Sequence, residues 1–290
     1  MTMTATPCFT IITSTWNAAA TLPRLLDSLA AQTCHDFNWI VQDGASSDAT
    51  LDIVERYRDR LPEILTAGGR DDGIYDAWNK AIDRWQDKLG EWVLFLGADD
   101  ALAGPDVLAA VKEHLTGCPE TVLYATGRMT LMDYAQGTSH PADYPADCAE
   151  RFRQRFYGMP LAHPATFHRR SMLLQNRFDT SFRIAGDYDL VLRTWTSPQQ
   201  LQPLPLHVTV MALGGISSST ETRQACAREK RRAICKNLPF DKKAPCRYFV
   251  LLADAYAFPA KIALKNALQR FSAGKHLWKL LHKLHKRLAG

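Results

Sequence analysis

The sequence predicts an α/β protein: a mostly parallel central sheet with helices on both faces. Short, β-rich apolar runs alternate with segments whose apolar residues recur at helical spacing, and this cycle of strand, loop and helix repeats from Phe9 to Leu96. Over 290 residues, 46% hydrophobic and 22% charged content is an ordinary globular balance that allows a sizeable core.

The elements follow in order. "FTIITST" (9–15) is a first strand, and "TLPRLLDSLAAQ" places Leu22, Leu25, Leu26 and Leu29 on one helical face behind Thr21, a candidate cap. "FNWIVQD" is a second strand and "GASSDAT" a turn. "LDIVERYRDRL" reads as a second helix with Leu51, Val54, Tyr57 or Arg58, and Leu61 on one side. "EILTA" is a third strand, followed by an amphipathic helix through Ile74, Ala77, Trp78, Ala81, Ile82 and Trp85, and "EWVLFL" is the fourth strand. In such sheets the loops at the carboxyl ends of the strands form the ligand crevice, and Asp43, Asp72 and Asp99 fall in those loops. Beyond residue 105 the alternation weakens. A helix is expected over 105–115, a hairpin or extension in "TVLYATGRMTLMDY", and a Pro-rich irregular stretch over 136–164. A helix over 187–196, a strand in "LHVTVMAL" and a "GGISSS" turn close the core.

Seven scattered cysteines without a CxxC pair argue against a disulfide framework or a thiolate zinc site, and fit a reducing cytoplasm. The amino-terminal segment has no basic n-region and no h-region, so it reads as a strand and not an export signal. The apolar stretch 248–264 is too short and too polar, with Asp254, Pro259 and Lys261, for a transmembrane helix. Residues 261–290 hold eight of the 35 basic residues and no acid, which leaves 27 against 30 and a net charge of −3 for the rest. That acidic body, without a recognisable reading module, argues against nucleic-acid binding despite "REKRR" at 228–232. No GxGxxG follows the first strand, against a dinucleotide enzyme.

"WVLFLGADDAL" runs a buried strand into two adjacent carboxylates. Asp99 and Asp100 can cap a helix or shape a turn there; alternatively, hard carboxylate oxygens at a crevice hold Mg²⁺ or Mn²⁺ against a diphosphate. Together with "TSTWNAAATLPRLLDSLAAQT", "VQDGASSDAT", "GRDDGIYDAWNKAI", "HPATFHRR" and "AGDYDLVLR", this ordered set resembles the inverting family 2 glycosyltransferases of GT-A fold, particularly those of exopolysaccharide and capsule assembly, over roughly residues 8–220.

The resemblance implies an inverting, metal-dependent hexosyltransferase that uses a UDP-sugar and a saccharide or lipid-linked acceptor. It implies Thr13, Asn17 and Asp43 around the nucleoside, Asp99 toward the ribose and sugar, Asp100 as direct metal ligand, and Asp187 as the base. Gly186 stands where many relatives carry Glu. Arg70, Asp72 and Lys80 are assigned to the nucleotide-sugar side, for Lys80 against a competing reading as a solvated surface residue, and His163 is a candidate third metal ligand or acceptor contact. Competing structural readings are an Asx-turn for Asp43, first-turn helix acids for Asp187 and Asp189, and core for Trp78 and Trp85.

The domain reading is a catalytic domain over 1–220 and a basic helical extension over 221–290. Within that extension, Leu277, Leu280, Leu281, Leu284 and Leu288 form one stripe among lysines, as in an interfacial helix at 272–288 that docks a cytoplasmic enzyme on the anionic inner face of a membrane; packing on protein is the alternative. A catalytically inactive binding or scaffold protein of the same fold is the rival function.

Overall fold

The computed structural model describes residues 6–142, 144, 147–214 and 220–238. Four parallel strands form one half of the sheet: β1 (Phe9–Thr15), β2 (Phe37–Asp43), β3 (Ile64–Gly68) and β4 (Trp92–Phe95). Helices α1 (Leu22–Ala30), α2 (Thr50–Arg56) and α3 (Ile74–Arg84) connect them. The near-continuous apolar strands reflect burial on both faces. Along β1, Phe9 and Ile11 join the cluster under α1 and α2, while Ile12 joins the cluster under α3; Leu94 and Phe95 of β4 divide in the same way.

The other half is mixed. It contains β5 (Ala101–Leu102), α4 (Val107–Leu115), β6 (Tyr124–Asp133), β7 (Thr138–Pro141), α5 (Cys148–Gln154), β8 (Thr166–Arg169), α6 (Arg170–Gln175), α7 (Gly186–Thr194), β9 (Leu201–Ala212) and α8 (Thr220–Asn237). The strand order is β3-β2-β1-β4-β8-β6-β9-β5, with β7 paired to β6. The motif "HPATFHRR" supplies β8, which lies antiparallel between β4 and β6.

Three local expectations need correction. The second helix stops at Arg56, and a 3-10 turn follows at Arg58–Arg60. Ile53, Val54 and Leu61 are buried, whereas Leu51 faces solvent, because Thr50 turns inward to bind Asp48 and Ala18. Thr21 makes no capping bond. The stretch 136–164 is not wholly irregular: it holds the β6–β7 hairpin and α5, whose cap is Asp147, with Oδ1 3.0 Å from the Ala149 amide. These elements are short and exposed, so they carry no apolar period.

Helix α8 contains the whole "REKRR" segment and begins where the basic extension was expected. It packs on α7 and buries Ala233 and Ile234 in the core under α3 and α7. The stripe at 277–288 lies outside the described residues. Among the described residues, no helix is long and apolar enough to cross a membrane.

Candidate active site

Strands β1, β2 and β3 end level, with Thr15 beside Asp43 and Asp43 beside Gly68. Their loops therefore open at one edge. Asp43 is 1% exposed and is shared among local donors: Thr15 Oγ1 at 2.7 Å and Ser46 Oγ at 2.6 Å reach Oδ1, and the Ser46 amide reaches Oδ2 at 2.8 Å. This is the Asx-turn reading, and it leaves Asp43 little accepting capacity for a ligand.

Asn17 adopts a left-handed conformation (φ 49°) and receives the Ser47 amide at 2.8 Å, which stitches the loop after β1 to the loop after β2. Thr13 does not reach the crevice. It is fully buried and accepts the Trp39 indole N–H at 3.0 Å, because the alternation of β1 turns it into the core. The residue presented instead is Trp16, 71% exposed at the mouth of the loop. Sequence reasoning missed it; the available signal was a lone aromatic in "TSTWN" that fits no apolar period.

The loop from β3 into α3 also shifts one assignment. Asp72 points to solvent, and its carbonyl accepts from Arg183. Asp71 is the inward acid: its carboxylate pairs with Lys80 at 3.0 Å and lies 3.6 Å from where a side chain on Gly44 would begin. Lys80 is committed to the loop itself, with Nζ bonded to the Arg70 carbonyl, Asp71 and Asp76. Arg70 is exposed.

Past β4 the two adjacent acids have opposite environments. Asp100 is 4% exposed, with Oδ2 accepting from the Gly97 amide at 3.0 Å and Oδ1 from the Ala212 amide at 3.1 Å. Burial, reinforced by the charge of Asp99, pushes its carboxyl up to about 7. Asp99 is only partly buried, and its carboxylate has no bond to the described residues. Asp100 thus ties β4 to the end of β9, and of the two acids Asp99 has the carboxylate left without a partner among the described residues. Gly97 is required here: a Cβ would lie 2.8 Å from Asp99 Oδ1 and 3.0 Å from Asp100 Oδ2. Arg24 anchors the same corner, bonded to the Asp99 carbonyl at 3.1 Å and stacked 3.5 Å over Tyr134.

A second contrast of this kind occurs in α7. Asp189 is fully buried and held by Lys236 at 3.0 Å and Asn237 at 2.9 Å. Asp187, one turn position earlier, receives Tyr75 Oη at 3.1 Å and the Tyr188 amide at 2.8 Å, both on Oδ1. Oδ2 accepts nothing from the described residues. Burial raises its pKa, offset by the Tyr188 amide and the Lys230 charge. Tyr75 opens α3, so Asp187 stands at the same edge of the sheet as the loops above. The ring of Tyr75 also explains Gly186, since a Cβ there would lie 2.8 Å from it.

His163 does not join this set. It is stacked on Trp78 and Phe95, 5.1 Å from His168, with Nε2 unpartnered and its pKa lowered by burial to about 4. It is a core imidazole, and Trp78 is core with it.

A cleft of about 840 Å³ lies at the opposite ends of the strands, lined by Pro7, Asp36, Glu91 and Lys112, but Lys112 and Asp36 pair with each other at 2.6 Å and none of the acids above reaches it. Among the described residues, no three His, Cys, Asp or Glu side chains gather as a metal cage. One open carboxylate still fits Mg²⁺ or Mn²⁺, which are commonly held by one or two carboxylates and completed by substrate phosphates and water.

An open-edged α/β sheet with acids at its carboxyl end, and a further acid bonded to the start of the helix that follows β3, defines a ligand-binding class of fold. The family is shown by comparison: residues 10–178 match the model of glycosyl transferase family 2, and the chain belongs to that family. A relative from Mycobacterium tuberculosis (strain ATCC 25618 / H37Rv), named PGL/p-HBAD biosynthesis glycosyltransferase, is 31% identical over 86% of this chain and 90% of its own length. The fold is that of GT-A structures. The mannosyltransferase PcManGT from Pyrobaculum calidifontis, solved with GDP-Man and Mn²⁺, superposes with a TM-score of 0.62 at 20% identity, over 95% of this chain and 84% of its own. TarS 1–349 of Staphylococcus aureus with UDP-GlcNAc gives 0.62 at 17% identity, over 90% and 80%.

Proposed function

We propose that this glycosyltransferase moves a sugar, with inversion, from a nucleotide diphosphate donor, a UDP-sugar, to a hydroxyl of a saccharide or lipid-linked acceptor in surface polysaccharide synthesis. One observation carries the reading: Asp99 and Asp187, each with a carboxylate oxygen unpartnered among the described residues, stand at the same end of the sheet while their neighbours Asp100 and Asp189 are consumed by the fold. The names of relatives and neighbours, which cite PGL/p-HBAD biosynthesis, poly(ribitol-phosphate), UDP-GlcNAc and GDP-Man, support the donor and acceptor classes.

In this reading Trp16 offers its exposed face to the base, and Asn17 and Asp43 shape the loop beneath it. Asp99 would hold a divalent cation, Mg²⁺ or Mn²⁺, whose chemistry is neutralisation of the departing diphosphate. Asp187 takes the proton of the acceptor hydroxyl as that oxygen attacks the anomeric carbon and the bond to the diphosphate oxygen breaks. Burial suits the task, since a raised pKa makes the carboxylate a stronger base. Tyr75 and the Tyr188 amide hold Oδ1, so Oδ2 is the oxygen presented.

A panel of UDP- and GDP-sugars, with and without Mn²⁺, tests the proposal. Metal-dependent binding and nucleoside diphosphate release from at least one donor are expected; binding of none would favour the scaffold reading.

A further inference from the structure

Asp187 is the second residue of α7, so its carboxylate goes wherever the first turn of that helix is held. An α-helix leaves its first amides without internal partners, and a capping side chain normally satisfies some of them. Here the cap position is Ala185, which has no acceptor. The amide of Ala185 at that end, and the two amides before it, are met from elsewhere in the chain. Glu229 of α8 accepts the Arg183 amide on Oε1 at 2.9 Å, and the Ile184 and Ala185 amides on Oε2 at 2.8 and 2.9 Å. A carboxylate on three consecutive amides at a positive helix end is a charge-assisted arrangement, stronger than three neutral bonds.

The rest of α8 fixes where Glu229 sits. Arg232 reaches Ser181 Oγ at 2.7 Å and lies 3.7 Å over the Phe182 ring; Lys236 binds Asp179 at 2.8 Å and Asp189 at 3.0 Å; Asn237 binds Asp189 at 2.9 Å. These ties fasten α8 to the segment before α7 and to the α7 body. Glu229 is the contact that reaches the turn delivering Asp187. The adjacent Lys230 faces the same acid and opposes the effect of its burial.

We propose that Glu229 is a positioning residue for glycosyl transfer: from α8 it holds the amides of Arg183, Ile184 and Ala185, and thereby fixes the free oxygen of Asp187 at the reacting hydroxyl. The inference rests on the reading of Asp187 as the base. It gives the first helix of the carboxy-terminal segment a part in the chemistry.

The test uses the full chain, with UDP and Mn²⁺ as the binding probe and nucleoside diphosphate release from the best donor of the panel as the turnover probe. Glu229→Gln places an amide N–H₂ against backbone donors and is expected to lower kcat roughly 10- to 100-fold, the scale of a 1 Å misplacement, while UDP affinity stays within about twofold. Glu229→Asp keeps the charge on a shorter arm, should fall between wild type and Glu229→Gln, and is the variant to use if Glu229→Gln does not fold. Thr10→Val, at the opposite end of the strands, takes the acceptor from the Gly90 amide and leaves α8 untouched; it should lower thermal stability and leave kcat within about twofold. In the double variant with Asp187→Asn, Glu229→Gln should cause no further loss, because it acts through that acid. Wild-type kcat in Glu229→Gln beside a dead Asp187→Asn would overturn the positioning role alone. An additive double variant, or an equal kcat loss in Thr10→Val, would do the same. Full activity in Asp187→Asn would instead overturn the base assignment on which it rests.

Discussion

The parallel half of the sheet and the mixed half each carry two neighbouring acids, and the fold treats them alike. In the parallel half Asp100 is locked by the Gly97 and Ala212 amides; in the mixed half Asp189 is locked by Lys236 and Asn237; among the described residues Asp99 has no carboxylate partner and Asp187 has one oxygen without one. The halves differ in where the locking partners come from. Asp100 is held by backbone amides, one three residues away and one on β9, whereas Asp189 and the cap over Asp187 are held by side chains of α8. The donor side is thus fastened through main-chain amides of its loop and of β9, and the base side through side chains of α8. A carboxylate's neighbours in sequence do not say whether it is available for chemistry. Its amide and cationic partners in space do.

This comparison can be broken first at Asp99. Asp99→Asn removes the open carboxylate and should weaken Mn²⁺-dependent UDP affinity by several kcal/mol, on the order of 10²- to 10³-fold, with an unchanged melting temperature. Titration calorimetry with and without Mn²⁺ reads it, and unchanged metal-dependent affinity would return the metal to Asp100.

Asp100→Ala should behave in the opposite sense. Two buried amides lose their acceptor, and stability should fall by about 2 kcal/mol or more, measured by urea unfolding. A stable Asp100→Ala that has lost only metal binding would show that the two acids are not divided as described.

Trp16 sharpens the donor side. If a base stacks on its exposed face, Trp16→Ala should raise donor KM by about 1–3 kcal/mol, roughly 5- to 100-fold, with kcat largely kept. A fall in kcat at constant KM would place Trp16 elsewhere in the reaction.

The smallest effect concerns pH. His163 and His168 are buried neutral with pKa values lowered by burial. The unfolded chain binds protons on both below about 6.5 and the folded chain does not, so their contribution to stability falls as pH drops from about 6.5 toward 4. Asp100 acts in the opposite sense: its pKa is raised by burial and by Asp99 to about 7, so the folded chain holds the extra proton and gains stability over the same interval. The wild-type slope is the difference of the two. His163→Phe should therefore lose less stability than wild type between pH 7 and 5 in urea titrations; an identical slope would mean that these imidazoles are not neutral in the fold.

Much of this was legible in the chain. The apolar strands and the Leu22 and Ile74 helices announced the parallel half, because burial on two faces and a 3.6-residue period leave strong patterns. The ordered motifs pointed to the family and, through the resemblance, to Asp187, while the edge of the sheet where Asp43, Asp72 and Asp99 fall followed from the topology. What failed was resolution within a motif. Thr13 and Thr15 differ only in strand parity, Asp71 and Asp72 only in which way a loop turns, and Asp99 and Asp100 only in which one meets Ala212, 112 residues away from Asp100. Trp16 was invisible because exposure has no period. Glu229 was hidden in "REKRR", a charge cluster weighed only for nucleic-acid binding.

The central claim, that each half contributes one working acid, is tested most directly by Asp187→Asn in the full chain. UDP and Mn²⁺ binding and nucleoside diphosphate release are measured on the same preparation, beside Asp189→Asn. The account predicts wild-type UDP affinity with kcat lower by on the order of 10²- to 10⁴-fold in Asp187→Asn, and in Asp189→Asn mainly a loss of stability. Full turnover in Asp187→Asn, with turnover abolished in a folded Asp189→Asn, would contradict it.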